Sequence, residues 1–132
     1  MGDQLAVGII GNKEELVTGE KTALAVGSGK LKVYATPCMV ALMEGAAVAA
    51  LEGKLEYQMD TVGTSLEILH MAATPVGMKV KAEAKLINID GRKLTFEIEA
   101  FDDREKIGSG IHQRFMINGD KFLEKCLSKL EG

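Results

Sequence analysis

A chain of 132 residues is long enough for one domain with a packed core and too short for two ordinary ones, so residues 1–132 are read as a single domain. Apolar residues at 46% and charged residues at 27% exclude a disordered or fibrous chain. Lys+Arg 16 against Asp+Glu 19, a net charge of -3, leaves no basic footprint for nucleic acid or an anionic membrane. The opening MGDQLAVGIIG has no basic segment ahead of its apolar residues and no long apolar stretch, which argues against a secretory leader and predicts a cytoplasmic protein. Met1-Gly2 opens like a myristoylation signal, but Ala6 stands where Ser or Thr is needed. Cys38 and Cys126 are far apart, without CxxC spacing, and read as reduced thiols in a reducing compartment.

In chain order, the first strand is expected over 16–26. From 37 to 51 the sequence PCMVALMEGAAVAAL carries one charge, Glu44, and is rich in helix formers, which predicts a helix apolar on nearly all sides. Such a helix is too short to span a bilayer comfortably and must be wrapped by other elements. Thr36-Pro37 suits its start and Gly53 its stop. A further strand is expected over 64–73, with Leu66, Ile68 and His70 on one parity. Met78, Val80, Ala82, Ala84 and Leu86 alternate with charged residues, and Asp90-Gly91 then signals a hairpin into Leu94, Phe96, Ile98 and Ala100. Asp102-Asp103-Arg104 reads as a second tight turn, followed by an alternating strand over 107–117 and a closing helix over 119–130, capped by Asn118 or Asp120.

A strand, a long apolar helix and then a run of antiparallel strands is the order in which a curved sheet wraps one central helix. The expected class is therefore α+β with the hotdog architecture: five or six antiparallel strands around one long helix, with a C-terminal helix. Open sheet edges on a small core invite pairing with a second chain, so a homodimer or dimer of dimers is expected.

Three residues could carry chemistry. A carboxylate in an apolar helix costs several kcal/mol unless it is paired or hydrogen-bonded, so Glu44 either faces a site or sends its head to solvent or a backbone amide. His70 shares the parity of Leu66 and Ile68 and so points to the covered face, as a satisfied core histidine or as a base near neutral pH. Thr36 is either the helix N-cap or a hydroxyl in a pocket, where the helix start would also offer amides to a developing oxyanion. Two His and two distant Cys give no metal-ligand spacing, and neither a GxSxG nor a P-loop motif is present, so no metal or nucleotide loop is expected.

The segments ATPCMVALMEGAA at 35–47, VGTSLEILHMAATPVG at 62–77 and GRKLTFEIEAFDDREKIGSGIHQR at 91–114 resemble the fluoroacetyl-CoA thioesterase-like family of hotdog proteins. The resemblance implies hydrolysis of an acyl-CoA to free acid and coenzyme A, with no cofactor beyond the coenzyme A of the substrate. It implies that Thr36 is the nucleophile or positions the thioester, that Glu44 orients it or activates water, and that His70 is the general base. It further implies that Gly63 and Thr64 lie at the acyl pocket and that Arg114, in a His-x-Arg segment with His112, either has a structural role, the reading preferred, or contacts a CoA phosphate. The stretch TALAVGSGKLKVY at 22–34 lacks the longer aromatic lid of the fluoroacetyl-specific member, which shifts the expected substrate to a general short- or medium-chain acyl-CoA. The rival readings are a hotdog module that binds an acyl-CoA or small metabolite without turnover, and a dehydratase on the same fold.

Overall fold

The computed structural model describes residues 4–131; the Met1-Gly2 pair lies outside the described residues. Strand β1 covers Ile10–Leu16. The strand expected over 16–26 does not form. Thr18 leads instead into a 3-10 turn, Gly19–Lys21, and a single helical turn, α1, Ala23–Val26. Thr22 decides this locally: its hydroxyl accepts from the Ala25 amide at 3.2 Å, and Gly27 closes the turn at a left-handed φ of 80°.

Helix α2 runs Thr36–Ala50, with Ala35 in the N-cap position, Pro37 in the first turn, and left-handed Gly53 in the turn that follows. Met39, Leu42, Met43, Ala46, Ala47 and Ala50 are buried against the sheet. Only this side is wrapped: Ala41 is exposed, Glu44 half-buried and Val48 45% exposed.

Strands β2 (Met59–His70), β3 (Lys79–Asp90), β4 (Lys93–Asp102) and β5 (Lys106–Asn118) complete one antiparallel sheet in the order β1-β3-β4-β5-β2. The meander β3-β4-β5 follows the two turns read from sequence: Gly91 takes a positive φ of 61°, and Asp102 Oδ1 accepts from the amides of Arg104 and Glu105 at 2.8 and 2.9 Å. Val80, Leu86, Leu94, Phe96, Ile98 and Ile107, all buried, meet the buried side of α2, each worth about 1.5–3 kcal/mol of transfer free energy. β1 lies so close to α2 that a Cβ on Gly11 would collide with Ala46 O and Ala50 N.

Strand β2 is an edge strand with a bulge between Gly63 and Ser65. Ahead of the bulge, buried Thr61 and the missing side chain of Gly63 lie toward Arg114 and Glu44. Beyond it Leu66, Ile68 and His70 are the half-buried residues, while Leu69 is 67% exposed.

Asn118 caps α3 (Gly119–Leu127) by accepting from the Lys121 amide at 3.1 Å. The expected closure of the sheet by this helix does not occur. It has no buried residue, and Phe122, Leu123, Leu127 and Leu130 all stay exposed, because the sheet face that needs cover is already taken by α2. No described helix is long and apolar enough to cross a membrane.

Candidate active site

Residues 34–36 bring the chain from the loop into α2, held by Tyr34 N donating to Thr74 O at 2.8 Å and Ala35 N donating to Lys21 O at 2.9 Å. The Tyr34 ring is buried beneath, its hydroxyl donating to Glu15, whose other oxygen pairs with Lys21 Nζ at 3.1 Å. Burial first, and Glu15 next, push the Tyr34 phenol well above its ordinary value, so it remains a donor. Thr36 makes no cap hydrogen bond; its Oγ1 instead lies 2.7 Å from Nδ1 of His70, at the end of β2. The strand places the imidazole and the helix start places the hydroxyl.

The other ring nitrogen, His70 Nε2, is buried and has no hydrogen-bond partner among the described residues. A buried polar atom left unsatisfied costs about 1–3 kcal/mol. Burial holds the His70 pKa below the ordinary histidine value, with the Ala72 backbone opposing, so the ring is neutral at physiological pH. Thr36 and His70 share the wall of an open cleft of about 260 Å³ with Ala23, Ser28, Val33 and Ala73. The helix start offers fewer amides than expected: Pro37 has no N–H, and those of Cys38 and Met39 both donate to Ala35 O at 3.0 Å.

Glu44 is not in this cleft. Eight residues along α2 from Thr36 is about 12 Å of helix axis. Its Oε2 lies 3.5 Å from Arg114 Nη1 and 4.0 Å from His112 Nε2. Arg114 is only 7% exposed, with Nε donating to Thr61 Oγ1 at 2.8 Å, Nη2 to Thr61 O at 3.1 Å and Nη1 to His112 Nε2 at 3.2 Å. His112 Nδ1 donates to Ser65 O at 2.8 Å, so its Nε2 presents a lone pair to the guanidinium. Burial is the main reason the His112 pKa is lowered, with Arg114 adding to it. Burial lowers the Arg114 pKa too, with Glu44 and Asp60 opposing; a guanidinium is so basic that it keeps its charge regardless.

Thus the structure joins two of the three candidates, Thr36 and His70, and groups Glu44 with Gly63 and Arg114 in a second cluster. Thr64, the bulge residue, is exposed, with its hydroxyl donating to Gln113 O at 3.2 Å. Sequence reading underplayed His112 and missed Thr61. The available signal was polarity at alternate positions of the β5 segment, Gly108, Gly110, His112 and Arg114, which face inward while Ile111 and Phe115 are 42% and 39% exposed. Among the described residues no group of three or more His, Cys, Asp or Glu could hold a metal ion.

One antiparallel sheet curled on a long helix, with a hydroxyl–imidazole pair where the helix begins, defines a hotdog-fold protein of the thioesterase kind. The profile of the fluoroacetyl-CoA-specific thioesterase family, FlK, matches residues 17–120. The fluoroacetyl-CoA thioesterase of Streptantibioticus cattleyicolor is 41% identical over 98 residues, which is 74% of this chain and 70% of that protein. A solved structure of the fluoroacetyl-CoA thioesterase FlK superposes with a TM-score of 0.89 at 34% identity, covering 96% of this chain and 98% of that one. A thioesterase superfamily member from Thermus thermophilus gives a TM-score of 0.86 at 27% identity, covering 96% and 93%. The chain belongs to the fluoroacetyl-CoA-specific thioesterase family, and with it to the thioester hydrolases.

Proposed function

We propose that this protein hydrolyses short- or medium-chain acyl-CoA thioesters to the free acid and coenzyme A, with Thr36 and His70 as the reacting pair and Glu44 as the assisting carboxylate. The observation that carries the reading is the 2.7 Å Thr36–His70 contact beside a buried, unpartnered Nε2 in an open cleft. With its proton on Nε2, the ring accepts the Thr36 proton at Nδ1 as the hydroxyl oxygen bonds to the thioester carbonyl carbon. The carbon–sulfur bond then breaks, the leaving thiolate takes that proton, and water releases the acid from the threonine ester. With the proton on Nδ1, the free Nε2 serves water attack directly, and Thr36 orients the ring. The neutral ring that burial enforces suits either course.

A homodimer fits this reading. Among the described residues the 12-residue β2 edge is unpaired on its outer side, Leu69 on it and Met71 just past its end are exposed, and the open side of α2 shows Ala41 and Val48. A second copy across this surface would bring its own Glu44 toward Thr36 and His70, a span of about 12 Å that one helix cannot close alone. The short loop at 22–34, which contributes Ala23, Ser28 and Val33 to the cleft and carries exposed Leu24, Val26 and Leu31, supports an apolar acyl group without a dedicated aromatic lid.

The test is release of free CoA thiol from acetyl-, fluoroacetyl-, butyryl-, hexanoyl- and aromatic acyl-CoA esters, with His70→Ala as control. Release that disappears in the variant supports the proposal and ranks the acyl groups. No release, combined with saturable acyl-CoA binding, replaces it with the non-catalytic binding module.

A further inference from the structure

Glu44 Oε2 occupies the place where a side chain would stand on the neighbouring strand. A Cβ built on Gly63 would lie 2.5 Å from that oxygen, 3.2 Å from His112 Cε1 and 3.3 Å from Arg114 Nη1. Gly63 does not adopt a positive φ, so no backbone conformation demands glycine here. What demands it is space, and the atom needing the space is the tip of a flexible carboxylate. Directly across the ladder, Gly63 pairs with Arg114, the residue whose guanidinium meets Glu44.

That guanidinium is itself fixed. Thr61 takes Nε on its hydroxyl and Nη2 on its carbonyl, and neutral His112, anchored through Nδ1 to Ser65 O, receives Nη1. The buried cation, held by these three hydrogen bonds, feels two carboxylates, Asp60 and Glu44, and the half-exposed glutamate reaching in from an apolar helix is the one that meets it, at 3.5 Å.

We infer that Gly63 and Arg114 are positioning residues for Glu44: the bare glycine opens a seat for the carboxylate, and the Thr61-anchored guanidinium holds it there in one orientation. This assigns Gly63 a role toward a residue of the protein's own chain, distinct from contact with the acyl group. The inference rests on the reading that Glu44 assists thioester hydrolysis.

The experiment measures kcat and KM for CoA thiol release by Gly63→Ala, Glu44→Gln and the double variant, with melting temperature for each. First, Glu44→Gln must lower kcat; if wild type turns over acyl-CoA and Glu44→Gln matches it, the reading of Glu44 fails and the inference falls with it. Given that loss, Gly63→Ala is expected to lower kcat tenfold to a hundredfold with KM within threefold and the fold retained, since the colliding atom can swing aside. Added to Glu44→Gln, it is expected to cause less than a threefold further loss, because its target is already disabled. A loss from Gly63→Ala that is just as large in the Glu44→Gln background would overturn the inference and return Gly63 to direct substrate contact. Should Gly63→Ala misfold, Thr61→Val reads the same seat from the arginine side: it removes the acceptor for Nε while keeping side-chain shape. It is expected to lower kcat several-fold in the wild type and not in the Glu44→Gln background, and equal losses in both would overturn the inference.

Discussion

Replacing Thr36 with alanine separates a catalytic hydroxyl from a structural one. Thr36 is exposed and lies inside the helix start, not at its cap, and its side chain makes one hydrogen bond, to His70. Losing that bond costs roughly 0.5–1.5 kcal/mol of stability, or a fall in melting temperature of roughly 2–6 °C for a domain of this size. If the hydroxyl reacts with, or orders the base for, the thioester, its removal lowers kcat by about 10²–10⁴-fold, equivalent to about 3–5 kcal/mol of barrier. Thr36→Ser keeps the hydroxyl and is expected to stay within about tenfold of wild type. The assay is steady-state release of CoA thiol at saturating acyl-CoA, with thermal melts run on the same preparations. An alanine variant that melts normally and turns over within threefold of wild type would refute the role assigned to the Thr36–His70 pair.

Two further outcomes follow from pKa and burial. His70 and His112 both titrate below the ordinary 6.5 because burial disfavours their charged forms. The unfolded chain therefore binds more protons than the folded one just below pH 6.5, so the stability they contribute is complete above that pH and is lost as pH falls through the window down to their depressed values. Melting temperatures from pH 7.5 to 5 are expected to decrease, and an increase on acidification would contradict this; the acid limb of kcat/KM should likewise lie below 6.5. Ending the chain after Asn118 removes α3, none of whose residues is buried, and is expected to cost less than about 1 kcal/mol in denaturant unfolding; a loss above about 3 kcal/mol would show that the helix shields the core.

Legibility in the sequence tracked how much of each element's burial is written in side chains. The 36–50 helix, the β3-β4 hairpin at Gly91 and the Asn118 cap have local causes, and all were readable. β1 was not. Its buried position is Gly11, pressed on the α2 backbone, so the strand shows no apolar alternation for a pattern to catch. The stretch that did look like a strand, 16–26, is folded back by the Thr22 cap. In β5 the parities mislead in the same way, because the inward residues that matter are His112 and Arg114 while the apolar Ile111 and Phe115 face out. Thr36 was open to two readings because a hydroxyl before a proline suits a cap, and only the distant His70 decides between them. The separation of Glu44 from Thr36 was in principle available from helical rise; the grip of Thr61 on Arg114 was not, since it joins residues 53 positions apart.

The bulge at Thr64 has a meaning for counting. Gly63 and His70 are seven residues apart, an odd interval, and on a regular strand an odd interval sends two side chains to opposite faces. One unpaired residue between them shifts the phase by half a period, so the carboxylate seat and the imidazole come to lie on the same side of one strand. Thr64 thus does by its presence what no substitution at either end could do: it brings two half-sites of opposite parity into step.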